Sequence, residues 1–425
     1  MSREIQVFAD WEGLGGPSEM GILRGIRSRG KELFSFTYAK SWLRGSATLL
    51  LDPDLQHYEG SQYLNDDERP NFGLFLDSSP DRWGRVLMKR REAILARAQN
   101  RKEERLTESD YLLGVHDEQR MGALRFRDEE EGAFLSNESS MAAPPWTSLR
   151  ELEHASWKVQ DRESSSDERS LEWLNLLMAP GSSLGGARPK AGVRDPAGDL
   201  WIAKFPGRND ERDMGGWEWV VWQLAKAAGV RVAEAQLLPF GKTHRTFATC
   251  RFDRIRGSKG GKRIHFASAM TLLGYNDGTD HAVGASYLEL AEFISNHGSD
   301  VQNDLRELWR RIVFSICVRN TDDHLRNHGF LLTNHGWELS PAYDLNPDPL
   351  GHGLNLNISE SDNSLSFDLA LEVAPYFRLD SKEAERLIDE VRAAVSSWKS
   401  IAGEAGLPRQ EQEDMNRAFS LASRE

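Results

Sequence analysis

The sequence predicts an α+β protein of two lobes, on three observations. Short extended stretches separated by Gly, Ser and Pro recur from the start of the chain to about residue 255. A strong helical stripe of apolar residues follows, from Leu305 to Ile316. The change of texture near residue 255 separates a β-rich part from a helical one. At 425 residues and 48.0 kDa the chain can fill more than one core. Its 39% hydrophobic and 28% charged residues fit a folded globular protein rather than a disordered one.

In chain order, residues 5–9, 34–38 and 47–51 read as strands between turn-forming residues. Residues 87–98 carry Leu87, Ala93, Ile94, Leu95 and Ala98 on a helical pattern. From 82 to 105 nine basic residues face three acidic ones, a local +6 read as a solvated helix face or, more sharply, a docking surface for an acidic partner or RNA. Residues 127–145 and 161–170 are acidic and poor in apolar residues, as connections are. Residues 189–194 and 200–205 predict a hairpin turning at Asp195-Pro196-Ala197-Gly198-Asp199. A helix over 217–228 ends at Gly229, which can adopt the left-handed conformation there. Strands follow at 235–239 and 246–252.

In the helical part, Leu305, Leu308, Trp309, Ile312, Val313 and Ile316 line one face of a helix. Residues 329–333 and 337–340 form a further hairpin around Asn334-His335-Gly336. Leu387, Ile388, Val391, Val395, Trp398 and Ile401 make a last stripe, with Asp380 and Glu383 as its cap.

Charge and cysteine content exclude several classes. Lys and Arg number 53 against 66 Asp and Glu, a net charge of −13, which argues against a general nucleic-acid coat or a polybasic membrane binder. That charge is uneven: residues 106–180 hold sixteen acidic and seven basic groups, while 181–208 hold five basic and two acidic. Cys250 and Cys317 alone allow neither a disulfide framework nor a Cys-based zinc site, and they suit a reducing cytosol. The N-terminus lacks the apolar run of a signal peptide, and no stretch approaches the roughly 20 apolar residues that span a bilayer. The expectation is a cytoplasmic protein with no membrane contact.

Four features in a fixed order point to chemistry. Gly181-Ser182-Ser183-Leu184-Gly185-Gly186-Ala187-Arg188-Pro189-Lys190 is a small-residue loop whose backbone N–H groups could approach phosphate oxygens, although it is neither a P-loop nor a G-x-G-x-x-G fingerprint. Lys204 lies in the apolar strand that follows, where burial requires a partner. Glu218, between Trp217 and Trp219, could supply it, as a helix Glu does for the phosphate-holding strand Lys of kinases. Asp322 and Asn327, in Asn320-Thr321-Asp322-Asp323-His324-Leu325-Arg326-Asn327, have the D-x-x-x-x-N spacing of a proton-accepting carboxylate and a neutral metal ligand. A hairpin then leads to Asp344, seventeen residues beyond Asn327 and placed as the metal-binding Asp of a kinase C-lobe. Each feature alone is common, since polar loops cap helices and edge-strand lysines reach solvent. Their order is not.

Together these residues resemble the HipA family of bacterial serine/threonine-kinase toxins. Residues 183–190 resemble its phosphate loop, and Arg251-Phe252-Asp253-Arg254 its hinge. Residues 321–327 resemble its T-D-x-H-x-x-N catalytic loop, and 339–345 its metal segment. Pro80-Asp81-Arg82-Trp83-Gly84-Arg85 is similar to a motif of its N-terminal subdomain. The likeness runs from about residue 70 to 350.

The resemblance implies a protein-kinase-like fold with an extra N-terminal β-rich subdomain (1–130), an N-lobe (131–256) and an all-α C-lobe (257–425). It implies ATP and Mg²⁺, with Asp322 as catalytic base and Asn327 and Asp344 as metal ligands. Ser183, Leu184, Gly185, Gly186 and Ala187 would cradle phosphate. Lys204 would be the clamp, with Glu218 beside it, while Phe252 lies at the adenine hinge and His324 adds a phosphate contact. It further implies autophosphorylation of Ser183, with Ser182 a second candidate, and a separate helix-turn-helix antitoxin through which operator DNA is reached. A protein substrate such as an aminoacyl-tRNA synthetase completes the set.

Two other classes share some of these residues. Asp322, Asp323, His324, His328 and Asp344 could gather metal in a hydrolase or nuclease. That reading leaves Lys204, Glu218 and the small-residue loop without a role. A non-catalytic pseudokinase would need none of the catalytic residues that are present. Within the kinase motif, Asp323 sets a second carboxylate beside the base, and the acidic 127–170 connection matches nothing in the family pattern.

Overall fold

The computed structural model describes residues 2–28, 30–45, 49–66, 68–128, 132–135, 143–160, 173–174, 177, 188–241, 244–258 and 261–423. They form two compact units: 1–209 with 253–267, and 210–252 with 268–425.

The first unit is built on a five-stranded antiparallel sheet. Its strands are β1 (Ser2–Ala9), β2 (Ser18–Ser28), β3 (Lys31–Tyr38), β4 (Ser61–Tyr63) and β5 (Leu124–Arg127), in the order β4-β3-β2-β1-β5. One face alternates inward, with Ile5, Val7, Leu23, Phe34 and Phe36 buried. The helix α1 (Arg82–Ala98) starts at Asp81, whose side chain accepts from Gly84 N. The α2 helix (Glu108–Leu113) begins with a capping box between Thr107 and Asp110, and α3 spans Leu149–Gln160. The predicted hairpin is present as β6 (Lys190–Arg194) and β7 (Leu200–Lys204). Its turn is held by Asp195, which accepts from Asp199 N at 2.9 Å and from Trp201 Nε1 at 3.0 Å.

Three expectations change in this unit. No strand runs through Leu49, Leu50 and Leu51; the chain turns in at the buried Leu51 and Asp52 instead, where Asp52 accepts from Asp54 N and Leu74 N at 2.9 Å each. Strands β2, β4 and β5 arise where no strand was expected. In the 127–145 connection, Phe134 is buried, packs edge-on to Phe8 at 5.4 Å, and lies beneath Arg125 and Arg127. Residues 161–170 lie outside the described residues.

The second unit opens with α4 (Met214–Ala227), capped at its start by Asp213. Gly229 follows its end with φ +74°, as expected. Strands β8 (Ala235–Leu238) and β9 (Thr246–Cys250) pair antiparallel. Helices α5 (Tyr287–His297) and α6 (Val301–Val318) come next, then the hairpin β10 (Gly329–Thr333) and β11 (Gly336–Leu339). The chain closes with α7 (Phe367–Val373), α8 (Ser381–Val395), α9 (Trp398–Glu404) and α10 (Arg409–Met415).

Every residue of the Leu305–Ile316 stripe is fully buried, so α6 is the axis of this unit's core. Trp398 stacks on Phe419 at 4.5 Å, and Trp217 lies 6.2 Å from the same ring. Asp380 caps α8 by accepting from Glu383 N. The single stripe expected from Leu387 to Ile401 is two helices, because Ser396 and Ser397 turn their hydroxyls back onto Ala393 and Ala394 carbonyls. Both cysteines are buried in this unit.

Candidate active site

The site forms where α6 ends. Arg319 adopts φ +49°, reverses the chain and releases it into the 320–328 loop. Asn320 is buried and its Oδ1 accepts from Asn346 N at 3.2 Å, while Thr321 Oγ1 donates to Asp348 Oδ2 at 2.8 Å. Tyr343 donates its hydroxyl to Arg326 O at 2.6 Å. Three hydrogen bonds thus fasten the segment around Asp344 to the loop that carries Asp322 and Asn327.

Asp322 and Asp323 face opposite ways. The Asp322 side chain is 82% exposed, with His324 Nε2 3.9 Å away. Asp323 is buried against His328 Nε2 at 2.9 Å and accepts from the Tyr287 hydroxyl on α5 and, at 3.4 Å, from Ser315 Oγ on α6. Burial alone would raise the Asp323 carboxyl, but His328 and the Tyr287 hydroxyl hold it below its ordinary value. The same environment pushes the Tyr287 hydroxyl well up, through burial first and the Asp323 charge second. Asp323 is therefore a brace: it ties the start of the loop to His328 just beyond its end. This removes the crowding that two adjacent carboxylates suggested in the sequence.

Asn327 is buried and donates Nδ2 to Asp322 O at 2.8 Å, a second clasp across the same five residues. Its Oδ1 is buried without a hydrogen-bond partner among the described residues. An orphaned amide oxygen is costly to bury, and a hard cation is one group that would satisfy it. Asp344 supplies a carboxylate and stands at φ +56°, in the left-handed region that few non-glycine residues adopt. The oxygen donors Asn327 and Asp344 fit Mg²⁺ by chemistry.

The remaining expected residues divide between the units. Phe252 lies in the second unit, its ring 5.6 Å from Tyr343. Glu218 is buried on α4 in that unit, and Lys204 is buried on β7 in the first. Ser182, Ser183, Leu184, Gly185, Gly186 and Ala187 lie outside the described residues. Tyr287 and His328 were not assigned to the kinase loop from sequence. No local pattern joins a tyrosine on one helix to an aspartate 36 residues later.

The geometry also bears on the hydrolase reading. Asp323 and His328 are committed to one another in the interior. Among the described residues, no three His, Cys, Asp or Glu side chains are arranged to hold a metal ion.

Comparison with known proteins bears on the family and the fold. A family model described as the HipA-like C-terminal domain matches residues 182–398. A putative kinase of Haemophilus influenzae is 31% identical over 134 residues, covering 30% of this chain and 39% of that protein. The serine/threonine-protein kinase toxin HipA of Shewanella oneidensis is 28% identical over 143 residues, covering 30% of this chain and 33% of that protein. The aligned part thus spans well under half the length of either curated relative. Among solved structures, a chain from the Shewanella oneidensis MR-1 toxin–antitoxin complex of HipA, HipB and operator DNA superposes with a TM-score of 0.66 at 18% identity, covering 98% of this chain and 95% of that one. At that identity the likeness establishes the fold, a mixed α+β architecture with a helical C-terminal part. With its family model matched over half the sequence, the chain belongs to the HipA family.

Proposed function

We infer that the protein is an ATP- and Mg²⁺-dependent serine/threonine protein kinase acting as a bacterial toxin. The observation that carries the reading is the doubly clasped loop. It leaves Asp322 open to solvent and turns Asn327 inward with an unsatisfied oxygen.

In this reading Asp322 accepts the proton of a serine or threonine hydroxyl as that oxygen bonds to the γ-phosphorus and the bond to ADP breaks. Asn327 Oδ1 and the Asp344 carboxylate hold Mg²⁺, which when bound neutralises charge on the phosphate oxygens. As the family resemblance implies, Lys204 acts as the phosphate clamp, and Glu218, His324 and the backbone at Phe252 keep the ATP-binding roles read from the sequence. Autophosphorylation of Ser183, or of Ser182, would add about −2 charge to the 183–187 cradle and repel ATP. A helix-turn-helix antitoxin neutralises the kinase and carries it to operator DNA. The substrate is a protein such as an aminoacyl-tRNA synthetase, whose phosphorylation would inhibit translation, and the reaction takes place in the cytoplasm.

The test is transfer of labelled phosphate from ATP in Mg²⁺ buffer. Label should appear on Ser183 and vanish both in Asp322→Asn and on chelation of the metal. Wild-type protein that binds ATP yet incorporates no phosphate would sink the reading. Phosphoproteomics after brief expression of wild type and Asp322→Asn would identify the substrate.

A further inference from the structure

The Pro80-Asp81-Arg82-Trp83-Gly84-Arg85 stretch plays no part in the chemistry above, yet two of its side chains grip the root of the phosphate loop. Asp81 divides its carboxylate between two tasks. Oδ1 accepts from Gly84 N at 2.9 Å and caps α1, while Oδ2 lies 2.7 Å from Lys190 Nζ. Trp83 Nε1 donates to Lys190 O at 3.1 Å. Lys190, the first residue of β6 and the last of the small-residue motif, is thereby held by side chain and backbone together.

The residue directly opposite Lys190 on the hairpin is Lys204. Side chains opposed in an antiparallel pair project to the same face with Cβ atoms about 4.5–5.5 Å apart. Lys190 is 1% exposed and Lys204 9% exposed. Two ammonium groups so placed repel strongly in a poorly solvated interior, and neither can be buried without compensation. Asp81, itself 2% exposed, supplies the countercharge to Lys190. The same end of the hairpin is closed by Phe205 N donating to Pro189 O at 2.8 Å and by Arg188 Nε donating to Phe205 O at 3.1 Å.

We propose that Asp81 is a positioning residue for nucleotide phosphate binding. By neutralising and holding Lys190, it fixes the root of the loop and sets the place of Lys204 across the hairpin. The role of Lys204 in this proposal rests on the kinase reading; the hold on the hairpin does not.

Three full-length variants test it: Asp81→Asn, Lys190→Met and the double substitution. Asn keeps the cap, because its amide oxygen can still accept from Gly84 N, but it removes the countercharge. In single-turnover autophosphorylation assays Asp81→Asn should raise the ATP concentration for half-maximal rate (the apparent KM) by about tenfold or more, while the limiting rate constant (the apparent kcat) stays within about threefold of wild type. Hydrogen exchange at the Phe205 amide should quicken by about tenfold or more in the same variant. Lys190→Met, which strands the buried carboxylate, should also quicken that exchange. The double variant carries neither charge and should return both readouts to within about threefold of wild type, as paired removal of buried charges does. A role confined to fold stability would lower the active fraction, and so apparent kcat, and leave KM alone. A folded Asp81→Asn protein with unchanged KM and unchanged exchange overturns the proposal, as does a double variant no better than the single one. If wild type consumes no ATP, the kinase reading fails on its own, and exchange at Phe205 still decides whether Asp81 holds the hairpin.

Discussion

Two adjacent aspartates with opposite surroundings make opposite demands on the chain. Asp322→Ala removes an exposed carboxylate and should change stability by no more than about 0.5 kcal/mol, while phosphate transfer is lost. Asp323→Ala leaves His328 and the Tyr287 hydroxyl buried without their shared partner and should cost about 3–5 kcal/mol. Urea unfolding of the two variants side by side checks the contrast; equal losses would contradict it. Asp52 gives the residue scale a pH dependence. Burial pushes its carboxyl up to about 6, against the pull of the Leu74 and Asp54 N–H groups. A carboxyl raised in the folded state stabilises fully below its unfolded value, and that contribution is lost as pH rises through about 6. Between pH 4 and 7 the loss from this group is about 2 kcal/mol, most of what a rise of about two pKa units carries. Asp52→Asn should flatten that part of the stability profile, measured by urea midpoint against pH; an unchanged slope would refute it. Spacing in the sequence singled out Asp322 and Asn327 as candidates, and the family resemblance added His324. The sequence could not say which of Asp322 and Asp323 turned inward, because a loop has no period to divide its faces.

Elements were legible where one face is apolar and the ends are punctuated. Helix α6 and the two hairpins, β6 with β7 and β10 with β11, follow from period and turn residues alone. Strand β2 did not, because Gly21 and Gly25 interrupt its alternation and read as turns. The structure gives Gly21 a different reason: a Cβ there would stand 2.3 Å from Thr37 O on β3. Gly21→Ala should force the two strands apart at a cost of about 1–3 kcal/mol, with hydrogen exchange quickening along β2 and β3. Exchange rates identical to wild type would show that the sheet absorbs the methyl. Strands β4 and β5 have three and four residues, too few for alternation to register; β5 exists because β1 offers it an edge. The break at Ser396 and Ser397 is a contest of hydrogen bonds rather than of apolar spacing, and a periodic stripe does not reveal it.

For the whole molecule, fold class and family were legible because motifs in order constrain a chain more than any one of them does. The division into units was not, because it follows contacts between segments far apart in sequence: 253–267 packs with the first unit, and 210–252 with the second. The net charge of −13 also has a geography that an average conceals, since the basic 181–208 segment carries β6 and β7. No helix among the described residues is long and apolar enough to cross a membrane. The placement of the cysteines offers a practical consequence. Cys250 and Cys317 both belong to the second unit, both are buried, and burial pushes the Cys317 thiol up to about 12. Neither should react with a thiol reagent at mild pH until that unit opens. Alkylation followed by mass spectrometry would therefore time the opening of the second unit and stay silent when the first unit opens alone, a clock wired to one half of the chain.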